Sequence, residues 1–155
     1  MGKNLHSLGG GVNYLCLPLD PEFPDNAQAG HQTGSLIYGV EYQSHTSTRF
    51  FADVDDRDAP CAVCEVQGRS QVLMIPAKRT CPAGWTFEYE GLLASQHNTQ
   101  NGADYVCVSN DPEAISDGLS NDPGGRLFVV EATDGTLPCP PYVDGYELSC
   151  VVCSK

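Results

Sequence analysis

The sequence predicts an all-β domain with at most a minor helix, internally duplicated and stapled by disulfides. Three observations lead there. Sixteen glycines and eleven prolines break the 155 residues into short segments. Apolar runs rich in β-branched and aromatic residues alternate with long polar loops. Part of the chain also occurs twice, about ninety residues apart. Asn13-Tyr14-Leu15-Cys16-Leu17, followed by Asp20-Pro21-Glu22, returns as Asp104-Tyr105-Val106-Cys107-Val108, followed by Asp111-Pro112-Glu113. Gly34-Ser35-Leu36-Ile37-Tyr38 aligns with Gly125-Arg126-Leu127-Phe128-Val129, with Glu41 and Glu131 just beyond. Each copy closes on a CxxC, Cys61-Ala62-Val63-Cys64 and Cys150-Val151-Val152-Cys153. The expectation is a lead-in over residues 1–9 and one compact domain over 10–155, built of repeats at about 10–78 and 79–155 around a pseudo-twofold axis.

The elements follow in order. Val12 to Leu17 is a short apolar run stopped by Pro18, hence a strand. Residues 20–33 hold Pro21, Pro24 and Gly30 among polar groups and read as a loop. Ser35 to Tyr42 is the next strand, and the aspartate-rich stretch 43–60 a long irregular connection. Ala62 to Val66, Gln71 to Ile75, Thr86 to Tyr89, Tyr105 to Val108, Leu127 to Glu131 and Leu148 to Val152 complete the strands. Asp111 to Leu119 is the one candidate helix, with Pro112 suited to a first turn.

Charge and length exclude several classes. Twenty acidic against eight basic side chains give a net charge of -12, which repels phosphate backbones and anionic membrane surfaces, so no nucleic-acid partner is expected. No apolar run approaches the roughly 20 residues of a spanning helix. Met1-Gly2-Lys3-Asn4-Leu5-His6 lacks the apolar core of a signal peptide. Two readings stand: a chain whose leader has been removed, or export by another route.

Eight cysteines, Cys16, Cys61, Cys64, Cys81, Cys107, Cys139, Cys150 and Cys153, suit a secreted, extracellular, stapled domain. The competitor is zinc, since two CxxC pairs offer four thiolates. Against it, Ala-Val and Val-Val between the cysteines favour strands over metal knuckles. A redox CxxC lacks its βαβ surroundings.

Several motifs carry a family likeness. Gly10 to Pro18 (GGVNYLCLP), Asp58 to Cys64 (DAPCAVC), Gly68 to Ala77 (GRSQVLMIPA), Thr80 to Trp85 (TCPAGW) and Leu137 to Tyr142 (LPCPPY) resemble the C-terminal non-collagenous domain of invertebrate short-chain, spongin-type collagens, and its freestanding homologues in marine invertebrates. The resemblance runs from about Gly10 to the C-terminus and implies an extracellular cysteine-rich module, without assigning an activity. One departure stands out. Members of that family often carry a Thr-Cys-Pro segment like Thr80-Cys81-Pro82 ahead of the first repeat, and this sequence has none there. Cys81 and Cys139 thus lack counterparts in the first copy and are candidates to pair with each other.

Candidate site residues lie in the loops. Asp53, Asp55, Asp56 and Asp58 present alternating carboxylates of the kind calcium uses, though without the glycine and terminal glutamate of an EF-hand. A solvated loop with Arg57 as counter-ion is the plainer account. His6, His31, His45 and His97 form no compact metal motif. His97, Asn98 and Asn101 stand in a run of amides and hydroxyls able to meet sugar hydroxyls, with Trp85 and Tyr89 as candidate stacking platforms and Arg57 as a further polar contact. No nucleophile elbow or P-loop occurs. The functional expectation is therefore a non-enzymatic, secreted, lectin-like carbohydrate-binding protein, with glycans or glycoproteins as partners, calcium as the candidate cofactor, and homo-oligomers that would raise avidity. The alternative is an extracellular-matrix or oligomerisation module.

Overall fold

The computed structural model describes residues 11–31, 34–44, 50–116, 118 and 124–155. Six strands form one mixed sheet: β1 (Val40–Tyr42), β2 (Val72–Pro76), β3 (Thr86–Ser95), β4 (Val106–Ser109), β5 (Gly125–Val129) and β6 (Ser149–Ser154). β3 organises it. Along one edge its first part pairs antiparallel with β6, from Thr86↔Ser154 to Leu92↔Ser149, and its last residues pair with β5 through Ala94↔Val129 and Ser95↔Phe128. Along the other edge Gly91 to Ala94 pair with Ser109 to Val106 of β4. β2 closes the far side against β6, and its terminal Pro76 suits an edge. β1 joins β5 in a parallel pair, Val40↔Gly125 to Tyr42↔Leu127.

The core lies where β1, β5, β3 and β4 meet. Val40, Tyr42, Leu127, Ala94 and Val108 point to one face, as two-residue alternation requires, and Phe51 and Val54 cover them. Tyr42 and Phe51 stack at 5.3 Å in a tilted pair. The 51–58 segment is pinned to β1 through Tyr42 N–H to the Arg57 carbonyl (2.9 Å), Asp56 N–H to the Tyr42 carbonyl (3.0 Å) and Ala59 N–H to the Val40 carbonyl (2.8 Å).

The all-β expectation holds, and no helix occurs among the described residues. The described part of 111–119 runs irregularly because its backbone bonds elsewhere: Ile115 N–H reaches the Asp58 carbonyl, and the Gly118 carbonyl accepts from Asp58 N–H. Residues 117 and 119 lie outside the described residues, as does the 1–9 lead-in. Two expected strands, 12–17 and 62–66, are absent, and 35–42 shortens to Val40–Tyr42. Residues 12–17 and 62–66 have strand composition without a ladder partner, and composition alone does not make a strand. Three disulfides tie the fold: Cys16–Cys61, Cys81–Cys153 and Cys107–Cys150. Such bonds mark an oxidising environment. Cys81 therefore pairs with Cys153 rather than Cys139, and Cys64 and Cys139 remain thiols. The zinc reading fails as well, since three of its four sulfurs are bonded to carbon-borne sulfur partners.

Three tyrosines couple this packing to pH. Burial, with Asp104 adding negative charge, pushes the Tyr14 phenol up to about 12. Burial, then Glu113, raises Tyr42, and burial alone raises Tyr89. Each folded-state value lies above the unfolded one near 10, so the unfolded chain releases these protons first. Their contribution is complete below about pH 10 and declines as pH rises towards 12. A phenolate absorbance titration should show a late class of tyrosines, coinciding with loss of folded signal. Full tyrosine ionisation near pH 10 in folded protein would contradict it.

Candidate functional site

A cavity of about 320 Å³ opens where β1, β3 and β5 end. Strand alternation fills it. With Val40, Tyr42 and Leu127 turned to the core, Gln43 just past β1 and Phe128 of β5 face the other way, and Ser95 stands in register with Phe128. Gln43 continues the β1–β5 pairing through its N–H to the Leu127 carbonyl at 3.0 Å. The loop after β3 supplies Gln96, His97 and Asn98; exposed Tyr105 lies ahead of β4; Val129, Val130, Glu131 and Thr133 complete the lining. The volume falls in the range of small-molecule sites.

The acidic stretch orients one of these groups. Gln43 Nε2 donates to Asp56 Oδ1 at 2.8 Å and to Asp55 Oδ1 at 3.4 Å, and Ser44 N–H also donates to Asp55. Both amide hydrogens are thus directed at carboxylates, and the Gln43 carbonyl oxygen is buried without a partner. On the opposing loop the Gln96 Nε2 donor is likewise buried and unpartnered. A buried polar atom left unpaired costs roughly 1–3 kcal/mol, and both glutamines line the cavity.

The loop's own bonds hold it in place. Ser95 Oγ donates to the carbonyls of Ala103 (3.3 Å) and Asp104 (3.1 Å), joining its two ends. His97 Nδ1 lies 2.8 Å from Thr99 Oγ1 and 3.3 Å from the Thr99 backbone nitrogen, which ties the ring to its own loop. The His97 ring packs on Phe128 with centroids 5.0 Å apart.

Of the residues expected at a ligand site, His97 and Asn98 line the cavity and Asn101, Trp85 and Arg57 do not. Trp85 precedes the first residue of β3, while the cavity lies beyond its last, a separation of roughly 30 Å at strand rise. Asn101 sits half-buried in the same loop, turned from the lining, and Arg57 spends its backbone pairing with β1. Tyr89 bonds the Cys107 carbonyl through its hydroxyl. The expected calcium ligands do not converge: Asp55 and Asp56 face Gln43, the Asp58 side chain packs on Gly118, and Asp53 is exposed. Among the described residues no three acidic, histidine or cysteine side chains form a metal-sized group. His31 is exposed, and His6 and His45 lie outside the described residues. Gln43, Gln96, Tyr105 and Phe128 escaped the sequence reading because the strand ends that gather them are distant in sequence; the outward parity of Phe128 beside Leu127 was the available signal. No helix among the described residues is long and apolar enough to cross a membrane. The chain matches no family model, and no solved structure matches it.

Proposed function

We propose that the protein is a secreted, non-enzymatic, lectin-like carbohydrate-binding protein whose site is the cavity at the ends of β1, β3 and β5. The observation that carries this reading is the juxtaposition in one cavity of two aromatic rings, Phe128 and Tyr105, with the side-chain amides of Gln43, Gln96 and Asn98. Pyranoses present an apolar face and a rim of hydroxyls that both donate and accept, and this lining answers each. Binding is favoured over catalysis by the commitments of the local nucleophile and base: Ser95 Oγ donates to carbonyls rather than to His97, and His97 Nδ1 is occupied by Thr99. The duplicated organisation and its pseudo-twofold axis belong to the same proposal, as does kinship with short-chain collagen C-terminal domains.

A glycan array on oxidised protein, run with calcium and with a chelator, tests the reading. Binding should appear and survive chelation, because the Asp55 and Asp56 carboxylates already hold Gln43 and Ser44. Phe128→Ala should weaken it roughly ten-fold and Gln43→Ala several-fold. Silence across a broad panel would overturn the proposal.

A second reading, an extracellular assembly module, draws on the apolar side chains exposed in the first half, among them Leu19 and Phe23. A stable trimer by light scattering with no glycan binding would favour it.

A further inference from the structure

The two ends of β3 differ in charge. Near its start, two arginines are paired with glutamates of the strand: Arg69 lies 3.1 Å from Glu88, and Arg79 grips Glu90 through two nitrogens at 2.7 and 3.0 Å. At its last residues, where the cavity opens, no lysine or arginine among the described residues lines the wall. The wall carries the carboxylate of Glu131 instead. Asp55 and Asp56 stand behind Gln43, and Asp104 precedes Tyr105, so negative charge surrounds the cavity on several sides.

Glu131 also faces a second glutamate. It forms an isolated antiparallel bridge with Glu147. Leu148 N–H donates to the Val130 carbonyl and Ala132 N–H to the Tyr146 carbonyl, each at 2.9 Å. These two bonds flank the bridge, so Glu131 and Glu147 are a non-hydrogen-bonded pair, the kind whose α-carbons approach to about 4.5 Å. Their side chains leave the same face, and like charges set directly opposite destabilise a ladder. Among the described residues neither carboxylate has an ion-pair partner. A lysine at either position would have stabilised the pairing, whereas two glutamates leave uncompensated negative charge at the cavity.

We infer that the cavity takes a saccharide bearing a protonated amine, with Glu131 as the counter-ion that selects it. This ligand class rests on the glycan reading and narrows it. The ammonium group donates to the Glu131 carboxylate, a charge-assisted bond stronger than one between neutral groups, and Glu147 adds to the attraction from across the bridge. Tyr105, 60% exposed, offers a ring face on which a pyranose can stack and towards which a cation is drawn. Asn98 remains for the sugar hydroxyls. Uronates and sulfated sugars are turned away, both by Glu131 and by the field of a chain with a net charge of -12.

The probes are tetrasaccharides of one linkage that differ in a single substituent: glucosamine with its free amine, glucose with a hydroxyl there, and N-acetylglucosamine with a neutral amide. A galacturonate tetrasaccharide supplies the opposite charge. His97 is the one lining group besides the ligand able to carry positive charge, so titration calorimetry on the intact oxidised chain is run at neutral pH.

The glucosamine probe should bind about ten-fold tighter than either neutral probe, and the galacturonate not at all. Added salt should narrow that preference. Glu131→Gln should bring glucosamine down to the level of glucose while leaving glucose binding as it was, and should keep or raise the melting temperature, since it removes one of two opposed charges. Glu65→Gln makes the same change of charge at an exposed residue outside the cavity and should leave the preference intact. Equal affinity for glucosamine and glucose, tighter binding of the N-acetyl or galacturonate probe, or an equal loss from Glu131→Gln and Glu65→Gln would overturn the amine selection while leaving glycan binding in place. Binding of none of the four probes beside a positive glycan array would do the same, whereas silence in both assays would overturn the glycan reading together with it.

Discussion

Gly91→Ala should be the most damaging single methyl addition among the described glycines, lowering stability by at least about 3 kcal/mol. A β-carbon at Gly91 would lie 1.7 Å from the Val108 carbonyl oxygen and 2.6 Å from its carbon, both backbone atoms of β4 that no side-chain rotation can move aside. The reason for the close approach is visible in the pairing. Gly91 is opposite Ser109 on one edge of β3 and Cys150 on the other. In a flat sheet the strands on either side of β3 would lie roughly 9.5 Å apart, yet the Cα atoms of Cys107 and Cys150 are 5.7 Å apart. β4 and β6 therefore fold towards one another over β3, and they do so where β3 has no side chain. Thermal denaturation of Gly91→Ala in the oxidised state checks this. A melting temperature within a degree or two of the parent would mean that the sheet does not fold over at Gly91. Gly68→Ala is the useful comparison, because a methyl there meets nothing within 4 Å, although its positive φ of 71° adds a smaller penalty.

Gly91 also illustrates what sequence reading reached and what it missed. Thr86 to Tyr89 was legible as a strand from its alternation of Phe and Tyr with Thr and Glu, but the strand continues to Ser95 through a glycine that composition alone treats as a break. Cys81 and Cys153 were each legible as disulfide candidates, while their pairing with each other was not, because connectivity depends on which strands lie side by side. Val12 to Leu17 shows the opposite error: its apolar and aromatic residues satisfy every local rule for a strand, and no strand among the described residues pairs with it. Propensity reports how a segment would behave given a partner, and only the tertiary fold supplies one.

The candidate site divides along the same line. His97 and Asn98 were legible because an isolated run of amides and hydroxyls marks a polar loop wherever it falls. Gln43 was not, since its importance comes from Asp55 and Asp56, which fix its amide beside the cavity. The spacing of the aspartates suits calcium as well as a solvated loop, yet the Asp55 and Asp56 carboxylates serve as acceptors for one side-chain amide and one backbone N–H. Linear spacing predicts convergence only when the loop curls around a centre, and this one instead lies along β1.

Removing the Cys107–Cys150 bond, as Cys107→Ala with Cys150→Ala, should destabilise the protein by about 4 kcal/mol on the chain-entropy account of a loop this long, lowering the melting temperature by roughly 10 °C. Burial adds to the effect, because Cys150 is fully buried and its truncation leaves space between β3 and β6. The two largest effects are not independent. The bond draws β4 and β6 together over Gly91, so without it β4 is free to back away from β3 and a methyl at residue 91 meets less resistance. Combining Gly91→Ala with the double cysteine replacement should therefore cost less than the separate losses taken together, with a coupling of about 1 kcal/mol or more. Strict additivity in that cycle would mean that the hydrogen-bonded ladder alone holds Val108 against Gly91, and that the disulfide only limits the unfolded chain.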